Sequence, residues 1–212
     1  MRNLFIRTIV RLRWWYLFPF AAALALLASF YFDASAQAWI AQHRSANMKN
    51  FMGRVSQFGD WPAHVMLGLT LLAFAYWRRS QRWMRVFATM ILACALAGGA
   101  ARVIKISTGR TRPSVQTEAG WNGPRLDSRY NAFPSGHTAA STAFFAALAL
   151  ASWRIGLAFL VVPLLIAFSR MYVGAHNLSD VVGAALIGFV MAYAVVRWIP
   201  QTIRNPKSEI RN

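Results

Sequence analysis

The sequence predicts an all-α integral membrane protein, and three observations predict it. Hydrophobic residues fill 57% of the 212 positions while charged residues fill only 14%. The apolar residues come in long uncharged blocks rather than amphipathic stripes, near the length of about 17–25 residues that spans a bilayer as a helix. The arginines cluster in short segments between those blocks, where they set topology and meet anionic headgroups. The net charge of +17 therefore does not mark a nucleic-acid binder, because no soluble basic domain exists to carry it. Cys94, the only cysteine, lies inside an apolar block, so no intrachain disulfide is possible and no thiol chemistry is indicated. A single membrane-embedded domain over residues 1–212 is expected, with six transmembrane helices and an interfacial helix after the first.

Residues 1–13 carry Arg2, Arg7, Arg11 and Arg13 among apolar neighbours, a basic lead-in suited to a cytoplasmic face. The first span, 14–32, opens on the aromatic belt Trp14-Trp15-Tyr16. Ala34-Ser35-Ala36 resembles a signal-peptidase site, but the block before it exceeds the roughly 7–15 residues of a signal core, so a retained helix is expected. Residues 33–61 read as interfacial helix, with Trp39, Ile40, Met48, Phe51, Met52, Val55 and Phe58 on its apolar face. The second span, 62–77, follows Gly59-Asp60-Trp61-Pro62, and a loop with Arg78, Arg79, Arg82 and Arg85 follows it. The third, 86–104, contains Gly98-Gly99, read as permitting close helix contact. Residues 105–134 are too polar to span. Spans four to six are 137–152, 156–173 and 181–199, and a basic tail runs to Asn212.

Six spans put both termini on one side. Lys and Arg on that side number 13 against 10 opposite, and several of the latter are candidates for chemistry, so the termini are expected in the cytoplasm. The same topology carries the unusual polar residues to one outer face: Lys105 and Arg112 after span three, Ser135, Gly136 and His137 before span four, Arg170 and His176 around the end of span five, Asp180 at the start of span six. Phe133-Pro134-Ser135-Gly136-His137 opens a helix whose first N–H groups point one way, a site suited to phosphate. It also fits an ordinary capped helix start. Three cations near membrane depth, Lys105, Arg112 and Arg170, suit a dianionic phosphate, by Arg forks and a Lys point charge. Taken singly, Lys105 also fits a snorkelling helix end and Arg112 a solvated loop charge. His176 precedes Asp180 by four positions, so the carboxylate can fix the imidazole tautomer and leave the other nitrogen nucleophilic. Asp180 equally suits a cap for span six. His137 is the candidate general acid. His43 and His64 lack such company and read as interfacial or packing residues. No metal is needed for this scheme, because phosphoryl transfer rests on positioning and charge stabilisation, and the acidic residues of the outer loops are scattered.

Lys105 with six residues before Arg112-Pro113, then Pro134-Ser135-Gly136-His137, then Ser169-Arg170 with five residues before His176 and three more before Asp180, resembles the three-part signature of the type 2 phosphatidic acid phosphatases, whose superfamily includes the vanadium haloperoxidases. The resemblance implies a metal-independent lipid phosphatase, without cofactor, that works through a phosphohistidine. His176 would be the nucleophile, Asp180 its orienting partner and His137 the acid. Lys105, Arg112, Arg170, Ser135 and the Gly136 N–H would hold the phosphate. The substrates it implies are membrane lipids: undecaprenyl diphosphate, phosphatidylglycerol phosphate, phosphatidic acid or lipid A. Trp121, Arg125, Arg129 and Tyr130 are candidates for headgroup contact. Three other readings use the same residues. A phosphotransferase would pass the phosphoryl group to a second lipid. A haloperoxidase fits the pocket but not six spans. A non-catalytic lipid-binding or transport protein needs the cations but not the histidines. A bacterial inner membrane is the expected location, with the site facing the periplasm.

Overall fold

The computed structural model describes residues 2–115 and 120–199, with side chains from Leu17 onward except in the gap. The aromatic belt Trp14–Tyr16, the arginines before it, Glu118 and the basic tail lie outside the described side chains. The described residues form nine helices and a single short 3-10 turn, with one isolated bridge between Arg110 and Trp121 in place of any sheet. In order these are α1 (Arg2–Tyr31), α2 (Asp33–Gln42), α3 (Ala46–Phe58), α4 (Trp61–Trp77), α5 (Gln81–Thr108), α6 (Gly136–Ala151), α7 (Trp153–Phe159), α8 (Val161–Tyr172) and α9 (Leu178–Trp198).

Three stretches are long and apolar enough to cross a membrane by themselves: α5, the α7–α8 run and α9. Two bent pairs, α1 with α2 and α3 with α4, each turning by 53°, pass the same test only when taken together. The apolar α6 has 16 residues, below the usual length. The helical class thus holds, and the number of crossings that length and composition support is three to five. Two boundaries differ from expectation. The arginine loop shrinks because α5 starts at Gln81, taking Arg82 and Arg85 into its first turns. The interfacial segment is two helices, separated where Ser45 caps α3 by accepting from Met48 N at 3.3 Å.

The core is α6, whose alanines explain its position. Ala139, Ala140, Ala143, Ala146 and Ala147 are buried, with Phe144 among them. The helix packs between α5 and α9, with α7 and α8 alongside. Surrounding lipid is as apolar as leucine, so helices gain little by hiding large side chains and associate instead through close backbone approach. A Cβ on Gly188 of α9 would stand 2.6 Å from the Ala139 carbonyl oxygen, so that glycine sets the α6–α9 distance. Gly98 and Gly99 were expected to do this for α5 and do not: a Cβ on either would meet nothing within 4 Å, because both face open space.

The helix ends that matter are closed by specific residues. α5 stops at Gly109, whose φ of 56° is left-handed and whose N–H bonds Lys105 O at 3.2 Å. α6 starts at Ser135, whose hydroxyl accepts from Thr138 N at 3.4 Å. α8 ends in a turn at Gly174, where φ is 80°. That turn is gripped by the α2–α3 segment: Arg44 donates to Tyr172 O at 2.7 Å, and Tyr172 Oη donates to His43 O at 2.8 Å. His64 is buried edge-on against Phe144 and Phe145, and His43 stacks on Trp39.

Candidate active site

Four helix ends meet at one place. Lys105 comes from the last turn of α5 and Arg112 from the loop after it. Ser135, Gly136 and His137 form the start of α6, Arg170 ends α8, His176 sits in the turn after it, and Asp180 lies in the first turn of α9. All eight residues singled out in the sequence therefore fall in one cluster. Lys105, Arg112, Arg170, His137 and His176 lie within electrostatic range of one another.

His176 is 1% exposed and Asp180 is fully buried. Asp180 Oδ2 lies 3.6 Å from His176 Nδ1, too far for a hydrogen bond, and accepts from Asn177 N at 2.7 Å. Asp180 is thus both a capping group for α9 and the carboxylate facing the imidazole, so the two readings of it are compatible. Since Nδ1 faces the carboxylate, Nε2 is the nitrogen left for a substrate. Ser135 is tied to this pair through its N–H, which donates to Asp180 O at 3.0 Å. Its hydroxyl accepts from Thr138 Oγ1 at 3.0 Å as well as from Thr138 N, leaving its own proton free of those two bonds.

Burial pushes the His176 imidazole down to about 4, with Lys105 and Arg170 adding to the effect and Asp180 opposing it. The ring is therefore neutral in the folded protein at neutral pH. Between about pH 6.5 and 4 the unfolded chain binds a proton here that the folded chain refuses, so stability falls as the pH falls through that window. Thermal unfolding in detergent is expected to show a steeper loss of Tm on acidification in the wild type than in His176→Gln. Parallel slopes would contradict it.

The cations are short of partners. Arg170 Nη1 donates to Ser56 Oγ at 2.6 Å, but its Nε is buried without a hydrogen bond among the described residues. Arg112 Nε is in the same condition. Buried guanidinium N–H groups are rarely left so, and like charges held together call for an anion. His137 is half-buried, with Nε2 4.0 Å from Asp60 Oδ1. A cavity of about 570 Å³ opens beside His137, Lys105 and Gly136 and runs along α5 past Arg102 and Gly98-Gly99 to Cys94. Among the described residues no three His, Cys, Asp or Glu side chains cluster as a metal site requires.

Several contributors were not legible in the sequence. Arg110 bridges two carboxylates, from Nη1 to Asp180 Oδ1 at 2.5 Å and from Nη2 to Asp33 Oδ2 at 2.7 Å. Asp33 also accepts from Ser179 N at 2.8 Å and from Ser179 Oγ at 2.6 Å. Gln37 donates to His176 O at 3.0 Å. Only the scarcity of acids, six in the whole chain, hinted that Asp33 and Asp60 had special partners. Of the loop residues considered for headgroup contact, Trp121 packs on Phe30 and Phe133 with Arg110 over its ring, and Arg129 pairs with Asp127 at 2.7 Å.

The helices long and apolar enough for a membrane thus carry a cationic, histidine-bearing site where four helix ends converge, which places the chain among helical integral membrane proteins. The model of the PAP2 superfamily matches residues 83–204, more than half of the chain, and the chain belongs to that superfamily. It is 34% identical over 108 residues to the lipid A 1-phosphatase of Rhizobium johnstonii, a match that covers 47% of this chain and 43% of the relative. The lipid A 1-phosphatase of Rhizobium etli is 33% identical over the same length, covering 47% and 45%. The chain thus matches less than half the length of these relatives. In structure it resembles LpxE of Aquifex aeolicus, with a TM-score of 0.61 at 22% identity, covering 79% of this chain and 96% of that one. It also resembles a transmembrane PAP2-type phosphatidylglycerolphosphate phosphatase from Bacillus subtilis, with a TM-score of 0.63 at 19% identity over 85% and 91%. At those identities the likeness is one of fold.

Proposed function

We propose that this protein is a metal-independent lipid phosphatase that removes a terminal phosphate from a membrane lipid through a phosphohistidine. The observation that carries the reading is the pair of buried, unpartnered guanidinium N–H groups on Arg112 and Arg170 beside Lys105 and two histidines. A phosphate would satisfy them all.

In this reading Arg112, Arg170 and Lys105 hold the phosphate oxygens, with the Ser135 hydroxyl and Gly136 N–H at the positive end of α6. His176 Nε2 attacks phosphorus in line. The P–N bond forms as the P–O bond to the lipid breaks, and His137 gives its proton to the leaving oxygen. Asp180 faces Nδ1, where the ring becomes positive. In the second half His137 takes a proton from water, which attacks phosphorus and releases inorganic phosphate and free His176. The lipid leaves on the His137 side, and the cavity along α5 suits that role. From Lys105 to Cys94 it follows about 16 Å of helix, near half the hydrocarbon thickness, and the missing side chains at Gly98 and Gly99 keep it open for a chain.

The site lies on the extracytoplasmic side of six crossings, with α6 the fourth and both termini in the cytoplasm of a bacterial inner membrane. The family-level relatives bear the name lipid A 1-phosphatase, so a glycosyl phosphate of lipid A leads the substrate panel. Purified protein in detergent with EDTA is expected to release inorganic phosphate from lipid A at a higher kcat/KM than from phosphatidic acid, phosphatidylglycerol phosphate or undecaprenyl diphosphate. A different ranking would reassign the substrate, and phosphate release only when a second lipid is added would make the protein a transferase.

A further inference from the structure

Asp33 lies outside the segment that matches the family, at the first residue of α2, yet it joins the centre of the site. Arg110 lies against the adjacent rings of Phe30 and Trp121, its centre 5.2 and 5.1 Å from their centroids, and this contact limits the directions of its two arms. One arm holds Asp180 Oδ1 and the other holds Asp33 Oδ2. The planar fork thereby turns Asp180 so that Oδ2 is the oxygen facing His176 Nδ1. Ser179 closes the circuit, accepting from Arg110 Nη1 at 2.6 Å and donating through both N and Oγ to Asp33.

Charge gives this arrangement a consequence. A guanidinium paired with Asp180 alone would cancel the carboxylate just where a positive ring develops at His176. A second carboxylate on the other arm shares the guanidinium and leaves the group as a whole negative. The other charged groups in range of His176 are Lys105 from α5, His137 from α6 and Arg170 from α8, with Arg112 of the loop in range of those three, all cationic or able to become so. The acids set against them are Asp180 and, through Arg110, Asp33 on the His176 side, and Asp60 facing His137 and Arg170.

We propose that Asp33 is a positioning residue for the nucleophile: acting through Arg110, it maintains the negative charge and the orientation that Asp180 presents to His176. The proposal rests on the phosphohistidine reading above. Asp33 touches no substrate and belongs to the corner between α1 and α2, so this N-terminal segment is part of the catalytic apparatus rather than only a membrane anchor.

The test compares wild type, Asp33→Asn, Arg110→Lys and the double variant, with His176→Ala as control. Steady-state phosphate release is followed against pH, and ¹⁵N-histidine NMR follows the titration of His176 without any need for turnover. Asp33→Asn is expected to lower kcat about 10-fold with KM unchanged, and to move both the acid limb of the profile and the His176 titration to lower pH. Arg110→Lys keeps one positive charge but cannot bridge two carboxylates; it should lower kcat similarly, and the double variant should lose little more. An unchanged kcat and titration in Asp33→Asn, a fall in kcat matched by a rise in KM, or losses that multiply in the double variant would overturn the proposal. If Asp33→Asn does not fold, Arg110→Lys decides by the same kcat and KM criterion. If His176→Ala retains activity, the nucleophile assignment fails instead, and the NMR titration still decides whether Asp33 acts on His176.

Discussion

His176→Ala is expected to abolish phosphate release, lowering kcat by about 10⁴-fold or more, since a chemical nucleophile acts as a unit with its partners. That corresponds to about 5 kcal/mol or more of lost transition-state stabilisation. The ring is 1% exposed and lies in a turn held by Gln37 and Asn177, so a neighbouring group has no room to replace it. His137→Ala separates the two histidines. With a soluble aryl phosphate whose leaving group needs no proton, that variant should still form a phosphoenzyme, whereas His176→Ala should not. The measurement is transfer of labelled phosphate to protein, quenched in alkaline detergent, with alkali-stable, acid-labile label indicating phosphohistidine. Label retained in His176→Ala would refute the assignment.

Arg170→Ala is expected to lower kcat/KM by about 10²–10³-fold, the loss typical of one preorganised donor to developing negative charge. Arg170 is anchored by Nη1 on Ser56 and its Nε is buried without a hydrogen bond among the described residues, so its geometry is set before substrate arrives. Arg170→Lys should recover only part of the loss, because an ammonium cannot both hold Ser56 and reach the phosphate as a fork does. Vanadate, a mimic of five-coordinate phosphorus, should lose inhibitory strength in parallel with kcat/KM. A loss confined to KM, with vanadate inhibition intact, would place Arg170 outside the phosphate cradle.

Much of this site was legible in the chain because its signals are local. Ser135-Gly136-His137 cap a helix start, Lys105 and Arg112 stand seven positions apart around one helix end, and His176 with Asp180 is a four-residue spacing. The resemblance to a known signature joined these pieces. Asp33 escaped because nothing near it in sequence marks it: its partners Arg110 and Ser179 are 77 and 146 residues away. Asp60 escaped likewise: in sequence it is one of a few scattered acids, and His137 reaches it only through folding. Gly98-Gly99 misled because a paired glycine means close approach in one setting and an open cavity wall in another; the neighbour decides, and sequence does not name the neighbour.

Composition and the spacing of apolar blocks determined by themselves that this is a helical membrane protein, since backbone polar groups in lipid must be satisfied within each helix. Charge type and local spacing likewise determined which residues are candidates for phosphate chemistry. Only the tertiary structure decided where the first helix turns, that two short helices follow it, and that their residues Asp33, Gln37, Arg44 and Ser56 grip the end of α8, the turn around His176 and the start of α9. The reason is that a hydrogen bond or ion pair between distant segments depends on how whole helices pack. That packing is set by close fits such as Gly188 against Ala139, which no single stretch of sequence contains.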